Sequence, residues 1–224
     1  MRAILTSVDY AAELAVTLPR NRHHFESVTV VTTPGSRDAQ VAREQGAAVV
    51  TTDAFYRDGA PFAKWLALEE GLDVVGRHGW LCVLDADVVW PARLPSYHLQ
   101  PGCLYTPLRR MLVDWSLPLP ERWDHLPLHP NFREWAGYTQ VFHADDPALG
   151  PPPWHEVDWI HAGGADSAFQ RKWHPARKVR PPFEVLHLGP AGVNWCGRGG
   201  QDELARLLAL RRVRRDYSAE RRGR

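Results

Sequence analysis

Gly79-Trp80-Leu81-Cys82-Val83-Leu84-Asp85-Ala86-Asp87-Val88-Val89-Trp90-Pro91 is the stretch on which the reading of this chain turns. A short apolar run bounded by glycine and proline has the composition of a buried strand in a parallel sheet. It stops at two carboxylates one residue apart, Asp85 and Asp87. Parallel α/β sheets bind ligands just beyond such carboxyl ends. A carboxylate left there without a partner forfeits its hydration, a penalty of several kcal/mol. A hard divalent cation carrying a diphosphate would offset that loss, so the pair reads as a metal and diphosphate site. The alternative is a solvated turn at a strand end.

Upstream of this strand the pattern alternates. Residues 3–6 read as a strand, 10–18 as a helix, and 27–32 as a strand ending at Pro34-Gly35. A helix over 37–45 is closed by Gly46 and followed by a strand over 47–51. Pro61 is placed to open a helix over 62–75, which leads into the strand ending at Asp85. The alternation predicts an α/β fold with a Rossmann-like, mostly parallel sheet flanked by helices. Downstream the chain is less regular and rich in Trp and Pro. A strand over 137–142, a stiff loop at Pro151-Pro152-Pro153-Trp154, a helix over 166–173 and a short strand over 183–186 are expected. A final helix over 204–215 would carry Leu204, Leu207 and Leu208 as its apolar stripe.

At 224 residues, without a linker-like stretch or repeat, the chain suits one well-cored domain. Its net charge of +1 conceals an asymmetry. Residues 203–224 carry eight Arg against three acids, which leaves the first 202 residues at −4. Cys82, Cys103 and Cys196 are odd in number, widely spaced and unlike paired zinc ligands, and read as reduced, mostly packed thiols. The first seven residues do not resemble a signal peptide, and no window approaches the roughly 18 apolar residues of a membrane span. The expectation is a cytoplasmic protein without a membrane segment.

These residues resemble a known family. Phe62-Ala63-Lys64, Leu68, Gly71 and the run from Trp80 through Asp85-Ala86-Asp87 to Pro91 are similar to the metal-binding half of GT-A glycosyltransferases. Gly163-Gly164-Ala165-Asp166-Ser167-Ala168-Phe169 resembles the Gly-Gly-Glu-Asp-Asp segment of inverting galactosyltransferases, with Ala165 where a Glu is usual. His187-Leu188-Gly189 stands where that family often supplies a late metal-ligating histidine. The resemblance, which covers residues 1–198, implies a GT-A-like domain over 1–202. Residues 1–91 would form its nucleotide-sugar half, 92–202 its acceptor half, and 203–224 a basic tail. It implies that Asp87 binds Mn²⁺ or Mg²⁺ directly, and that Asp85 touches the donor ribose or reaches the metal through water. The donor implied is a nucleoside-diphosphate sugar, UDP-linked in the first instance.

Around that core the residues suggest further roles. His187 at a strand end can complete a metal site with carboxylate and phosphate oxygens, with His161 as the competing ligand and a structural histidine as the plainer reading. Asp166 either caps a helix or acts as the general base for an acceptor hydroxyl. Thr6, Ser7 and Asp9 after the first strand, Thr52 and Asp53 after the third, and Lys64 are candidate donor contacts, although such residues also form turns for local reasons. Arg198 could assist the departing diphosphate. Trp154 and Trp159, with Glu156 and Asp158 between them, could stack on a sugar or base, and Gly163 and Gly164 would let an acceptor approach the backbone. The basic segment 171–180 and the tail 206–224 suit a polyanion, so a hydroxymethylated pyrimidine in DNA, as in phage systems, is one acceptor; a glycan or small molecule is another. Two further readings stand beside these: a nucleotidyltransferase, against which Thr6-Ser7-Val8-Asp9 offers neither glycine nor lysine, and a non-catalytic DNA-binding module.

Overall fold

Seven elements alternate over the first part of the chain: β1 (Arg2–Thr6), α1 (Ala11–Asn21), β2 (Ser27–Thr32), α2 (Arg37–Glu44), β3 (Ala48–Thr51), α3 (Lys64–Val75) and β4 (Trp80–Asp85). Then come β5 (Val88–Val89), β6 (Leu104–Tyr105), β7 (Leu108–Leu112), β8 (Thr139–His143), α4 (Ala165–Gln170), β9 (Lys178–Val179) and β10 (Glu184–Leu188). The structure is a computed structural model that describes residues 1–130, 135 and 137–190. Arg198, Cys196, the expected helix over 204–215 and the basic tail lie outside the described residues. Cys82 and Cys103 are buried free thiols, as expected.

The larger sheet has seven strands in the order β3-β2-β1-β4-β8-β6-β9. Its first four are mutually parallel, with Thr6 level with both Val31 and Asp85. The α/β, mostly parallel sheet expected from the alternation is therefore the one observed. Successive side chains of a strand face opposite ways, and here both faces are covered. Leu5, Val30, Cys82 and Leu84 pack with Leu14 and Leu18 of α1 and with Val41 and Ala42 of α2. Ile4, Val31, Leu81 and Val83 pack on the other side with Trp65, Leu68 and Leu72 of α3. Gly71 makes the second contact close, because a Cβ there would lie 2.4 Å from Cγ2 of Val31 and 3.1 Å from Cδ1 of Ile4. Local chemistry sets the ends of α2. The Ala39 amide donates to Ser36 Oγ at 3.1 Å, and Gly46 takes a φ of +73° just beyond the C-terminus.

Beyond β4 the sheet changes character. β8 runs antiparallel to β4, β6 antiparallel to β8, and β9 parallel to β6. A second sheet, β5-β10-β7, pairs β10 antiparallel to β5 and parallel to β7. Several boundaries differ from expectation. Pro61 does not open α3; the chain enters through Phe62 and Ala63, whose amides donate to Ile160 O and Phe55 O before Lys64 starts the helix. α4 stops at Gln170, and Trp173 turns into the core with Nε1 donating to Asp146 Oδ2 at 2.7 Å. The last strand extends to Leu188, so His187 lies within it rather than after it. Leu186 and Leu188 bury themselves beneath partly buried Leu112, which turns the intervening His187 to the opposite face. Among the described residues, no helix is long and apolar enough to cross a membrane.

Candidate active site

The turn Ala86-Asp87 sits between β4 and β5, held from three sides. From α1, Thr17 Oγ1 donates to Ala86 O at 2.8 Å and Asn21 Nδ2 to Val88 O at 2.7 Å, while the Trp90 amide donates to Asn21 Oδ1. The Asp85 amide donates to Tyr138 O, and the Leu188 amide to Asp87 O, each at 2.9 Å. These contacts fix the two carboxylates on rigid backbone. Thr17 and Asn21, which do much of this holding, carried no signal in the sequence beyond being polar residues on a buried helix face.

Asp87 is only 7 % exposed, and its Oδ1 has no hydrogen-bond partner. Its Oδ2 lies 3.4 Å from Nε2 of the buried His187. The other ring nitrogen, Nδ1, is 3.2 Å from Gly189 O, which can only accept, so Nδ1 donates and Nε2 is the nitrogen turned toward Asp87, carrying a lone pair whenever it holds no proton. Two acceptors facing each other require positive charge between them, either a proton or a metal ion. A ligating histidine is oriented in this same way, its distal N–H given to a carbonyl. Burial pushes the Asp87 carboxyl above its usual range and Asp85 adds to this, against the pull of His187, Arg109 and Lys64. An orphaned, buried carboxylate oxygen beside an imidazole nitrogen fits a divalent cation.

Asp85 does not join them. Lys64, the first residue of α3, places Nζ 2.5 Å from Asp85 Oδ1, and among the described residues no three His, Cys, Asp or Glu side chains converge as a ligand set. Asp87 and His187 thus stand as a two-residue centre, with Asp85 and Lys64 as an ion pair beside it. Thr6 lies level with Asp85 on β1, buried, and on the same face of the sheet.

Asp166 stands at the start of α4. Its Oδ2 accepts from the Gly137 amide and its Oδ1 from the Ser167 amide, both at 2.8 Å. Gly137 admits this contact, because a Cβ there would lie 2.5 Å from Asp166 Cβ and 3.0 Å from Trp65 Cη2. Gly164 takes a φ of +100°, and a Cβ on it would lie 2.4 Å from Trp159 Cη2, so the missing side chain seats the Trp159 ring against the backbone. The Gly163 amide donates to His161 Nδ1 at 3.1 Å. Trp159 is half-buried, donates from Nε1 to Glu156 Oε2 at 2.6 Å and meets the His161 ring edge to face.

The loops after β1 and β3 are also organised. Ser7 Oγ donates to Asp38 Oδ1, and the amides of Asp9 and Tyr10 donate to the same carboxylate at 3.1 and 2.9 Å. Asp38 was not anticipated from the sequence; it is buried on the first turn of α2. Asp9, at φ +62°, lies exposed at the rim with Tyr56, whose phenol is pushed up by burial and by the negative charges of Asp9 and Asp38. Thr52 Oγ1 donates to Glu70 and accepts from the Ala54 amide, whereas Asp53 is exposed and pairs with Arg57 at 3.0 Å.

Trp154 corrects an expectation. It is buried in the α3-side core, its Nε1 donates to Gly150 O at 3.2 Å, and the Arg77 guanidinium covers its ring at 4.8 Å, so it offers no face to an acceptor. The reason is Glu69, a buried carboxylate of α3 that accepts from the amides of Trp154 and His155 and pairs with Arg77 at 2.8 Å. His155 Nδ1 lies 2.6 Å from Glu69, and its ring is stacked between Trp65 and Phe169. Burial pushes this imidazole down, leaving Arg77 as the cation that balances Glu69. The basic segment 171–180 is partly structural: Lys172 binds Leu149 O, Lys178 binds Gln170, and Arg180 donates to Thr106 O, while Arg171 and Arg177 are exposed.

No family model and no curated protein sequence matches the chain. Several solved structures are similar at low identity. Glucosyl-3-phosphoglycerate synthase from Mycobacterium tuberculosis, solved with Mn²⁺, UDP and glucosyl-3-phosphoglycerate, has a TM-score of 0.38 and 16% identity, over 49% of this chain and 43% of that one. This chain therefore spans less than half the length of that enzyme. The inositol-1-phosphate CTP transferase from T. maritima has a TM-score of 0.42 and 12% identity, over 86% of this chain and 91% of that one. A glycosyltransferase involved in glycosylation of the major capsid of PBCV-1 has a TM-score of 0.36 and 13% identity, over 86% and 83%.

Proposed function

We propose that this chain is a metal-dependent glycosyltransferase that moves a sugar from a nucleoside diphosphate to an acceptor hydroxyl. The observation that carries the reading is the buried Asp87 carboxylate at the end of β4, with Oδ1 unpartnered and Oδ2 facing Nε2 of His187. Asp87 and His187 would hold Mn²⁺ or Mg²⁺, which supplies charge neutralisation to the departing diphosphate when bound. Lys64 and Asp85 would orient the donor beside it, as a preformed ion pair at the N-terminus of α3. Asp166, fixed by two backbone amides, would take the proton of the acceptor hydroxyl as its oxygen attacks the anomeric carbon and the bond to the diphosphate oxygen breaks. Trp159, seated by Gly164, is the aromatic face remaining for the acceptor.

Asp38 favours this reading over a nucleotidyltransferase. The Asp9 and Tyr10 amides and Ser7 Oγ, which in a phosphate-cradling loop would face a triphosphate, all point at a buried carboxylate. The test is nucleotide release from a panel of nucleotide sugars with and without Mn²⁺, using glycosides, plain duplex DNA and hydroxymethylated duplex DNA as acceptors. Release should require the metal and fall roughly 10²-fold or more in Asp87→Asn, the scale of removing one group that stabilises transition-state charge. That variant should melt no lower than wild type, since it replaces a buried carboxylate that has one unpartnered oxygen by a neutral amide of the same shape. Release that persists unchanged without metal, or in Asp87→Asn, would defeat the proposal.

A further inference from the structure

Arg109 on β7 is 9 % exposed, yet its Nε has no hydrogen-bond partner, and among the described residues no carboxylate lies within ion-pair distance of it. Its guanidinium lies over the Tyr138 ring at 4.1 Å, and burial lowers its affinity for its proton. Register places it opposite Val185 of β10, on the face of the three-stranded sheet that also carries Met111 and His187. The negative charges that reach it are Asp85, Asp87 and Asp166, and each is otherwise engaged or set apart. Asp85 pairs with Lys64, Asp166 accepts two amides, and Asp87 faces His187. A buried guanidinium without a counter-ion is strongly unfavourable unless an anion completes it.

Resting on the glycosyltransferase reading, we propose that Arg109 binds the diphosphate of the donor and holds the nucleoside diphosphate as it leaves. A metal-bound diphosphate brings together the two charges this site lacks, a cation for Asp87 and an anion for Arg109. The planar fork of donors suits phosphate oxygens. When the anomeric carbon–oxygen bond breaks, its electron pair stays on the terminal phosphate oxygen, and Arg109 meets that charge already desolvated. The sequence drew attention to Arg198 for this role, because nothing in Leu108-Arg109-Arg110 distinguishes the buried arginine from its neighbour, which pairs with Glu184 on the opposite face of the sheet.

The experiment uses the full chain, with Arg109→Met and Arg109→Lys, and measures binding of Mn²⁺-pyrophosphate, UDP and uridine by calorimetry alongside melting temperature. Arg109→Met should bind pyrophosphate and UDP roughly tenfold or more weakly, the scale of a lost charged hydrogen bond. Uridine binding should not change, and the ligand-free variant should melt no lower than wild type. Arg109→Lys should fall between, and decides the matter if the Met variant does not fold. Equal affinity for pyrophosphate and UDP in wild type and variants overturns the inference while leaving the glycosyltransferase reading intact. Wild-type pyrophosphate binding that needs Arg109, without sugar release from any donor, supports the anion site and defeats the glycosyltransferase reading. A wild-type chain that binds neither pyrophosphate nor UDP overturns both.

Discussion

The two sides of β4 are built by different means. On one side β1, β2 and β3 are parallel, separated by helices and filled with apolar side chains that alternate between two cores. On the other, β6 and β9 are only two residues each, the connections are long, and polar atoms are buried without partners: Thr106 Oγ1, both amide atoms of Gln140 and, on nearby β7, Arg109 Nε. The parallel side is held mainly by apolar packing, although His24 Nε2 and Arg77 Nη1 are buried there without partners. On the proposed reading the other side is the one that a ligand completes, and sites that await a ligand are where local rules are expected to fail.

Adjacent residues of α3 probe the difference. Glu69→Ala should have the largest effect, about 3–5 kcal/mol, because it leaves the buried Trp154 and His155 amides unpaired and takes from Arg77 the more buried of its two carboxylate partners, Asp73 being the other. Denaturant unfolding would measure it, and a loss under 1 kcal/mol would show that the 154–155 loop is held by packing alone. Leu68→Ala, one residue earlier and facing the parallel sheet, should lower stability by about 2–4 kcal/mol without changing the metal dependence of nucleotide release per folded molecule. A changed metal requirement would blur the division between the two sides. Gly164→Ala should lower stability by about 1–3 kcal/mol through its positive φ and the Trp159 ring, and should raise KM for the acceptor more than for the donor. An unchanged acceptor KM would remove Trp159 from the acceptor surface.

The smallest effect expected is one of pH. Burial, with the charges of Arg109 and His187, brings the His129 imidazole down to about 4 from 6.5. On acidification the unfolded chain takes up this proton first, so the stabilisation is complete above pH 6.5 and is lost as pH falls toward 4. In His129→Asn the melting temperature should fall less steeply across that window, and an unaltered slope would place the acid sensitivity elsewhere.

The parallel half was legible because its determinants are local. The alternation of strand and helix segments and Gly46 after α2 each act within a few positions, and the strand ending at Asp85 announced itself by composition. Asp87 and His187 were singled out by residue type and place, but their juxtaposition was not legible: His187 belongs to a strand whose extent depends on pairing with Arg109 and Met111 across a long loop. Trp154 was misread because its burial is decided by Glu69, 85 residues away. Arg109, Asp38 and Gln140 gave no signal, since one buried arginine among two, or one buried glutamine in a strand, is distinguished only by what folds over it.

Helix α3 ties the two sides together. Lys64 at its first residue grips Asp85, Glu69 holds the loop leading to Trp159, and Gly71 presses the helix onto β1 and β2 with no slack for a methyl group. With a rise of about 1.5 Å per residue, any slip along its axis is transmitted to both grips at once. The helix is therefore a common shaft: on the proposed reading, moving it would retune donor and acceptor specificity together, and independent variation in substrate choice would fall to the loops hung from it.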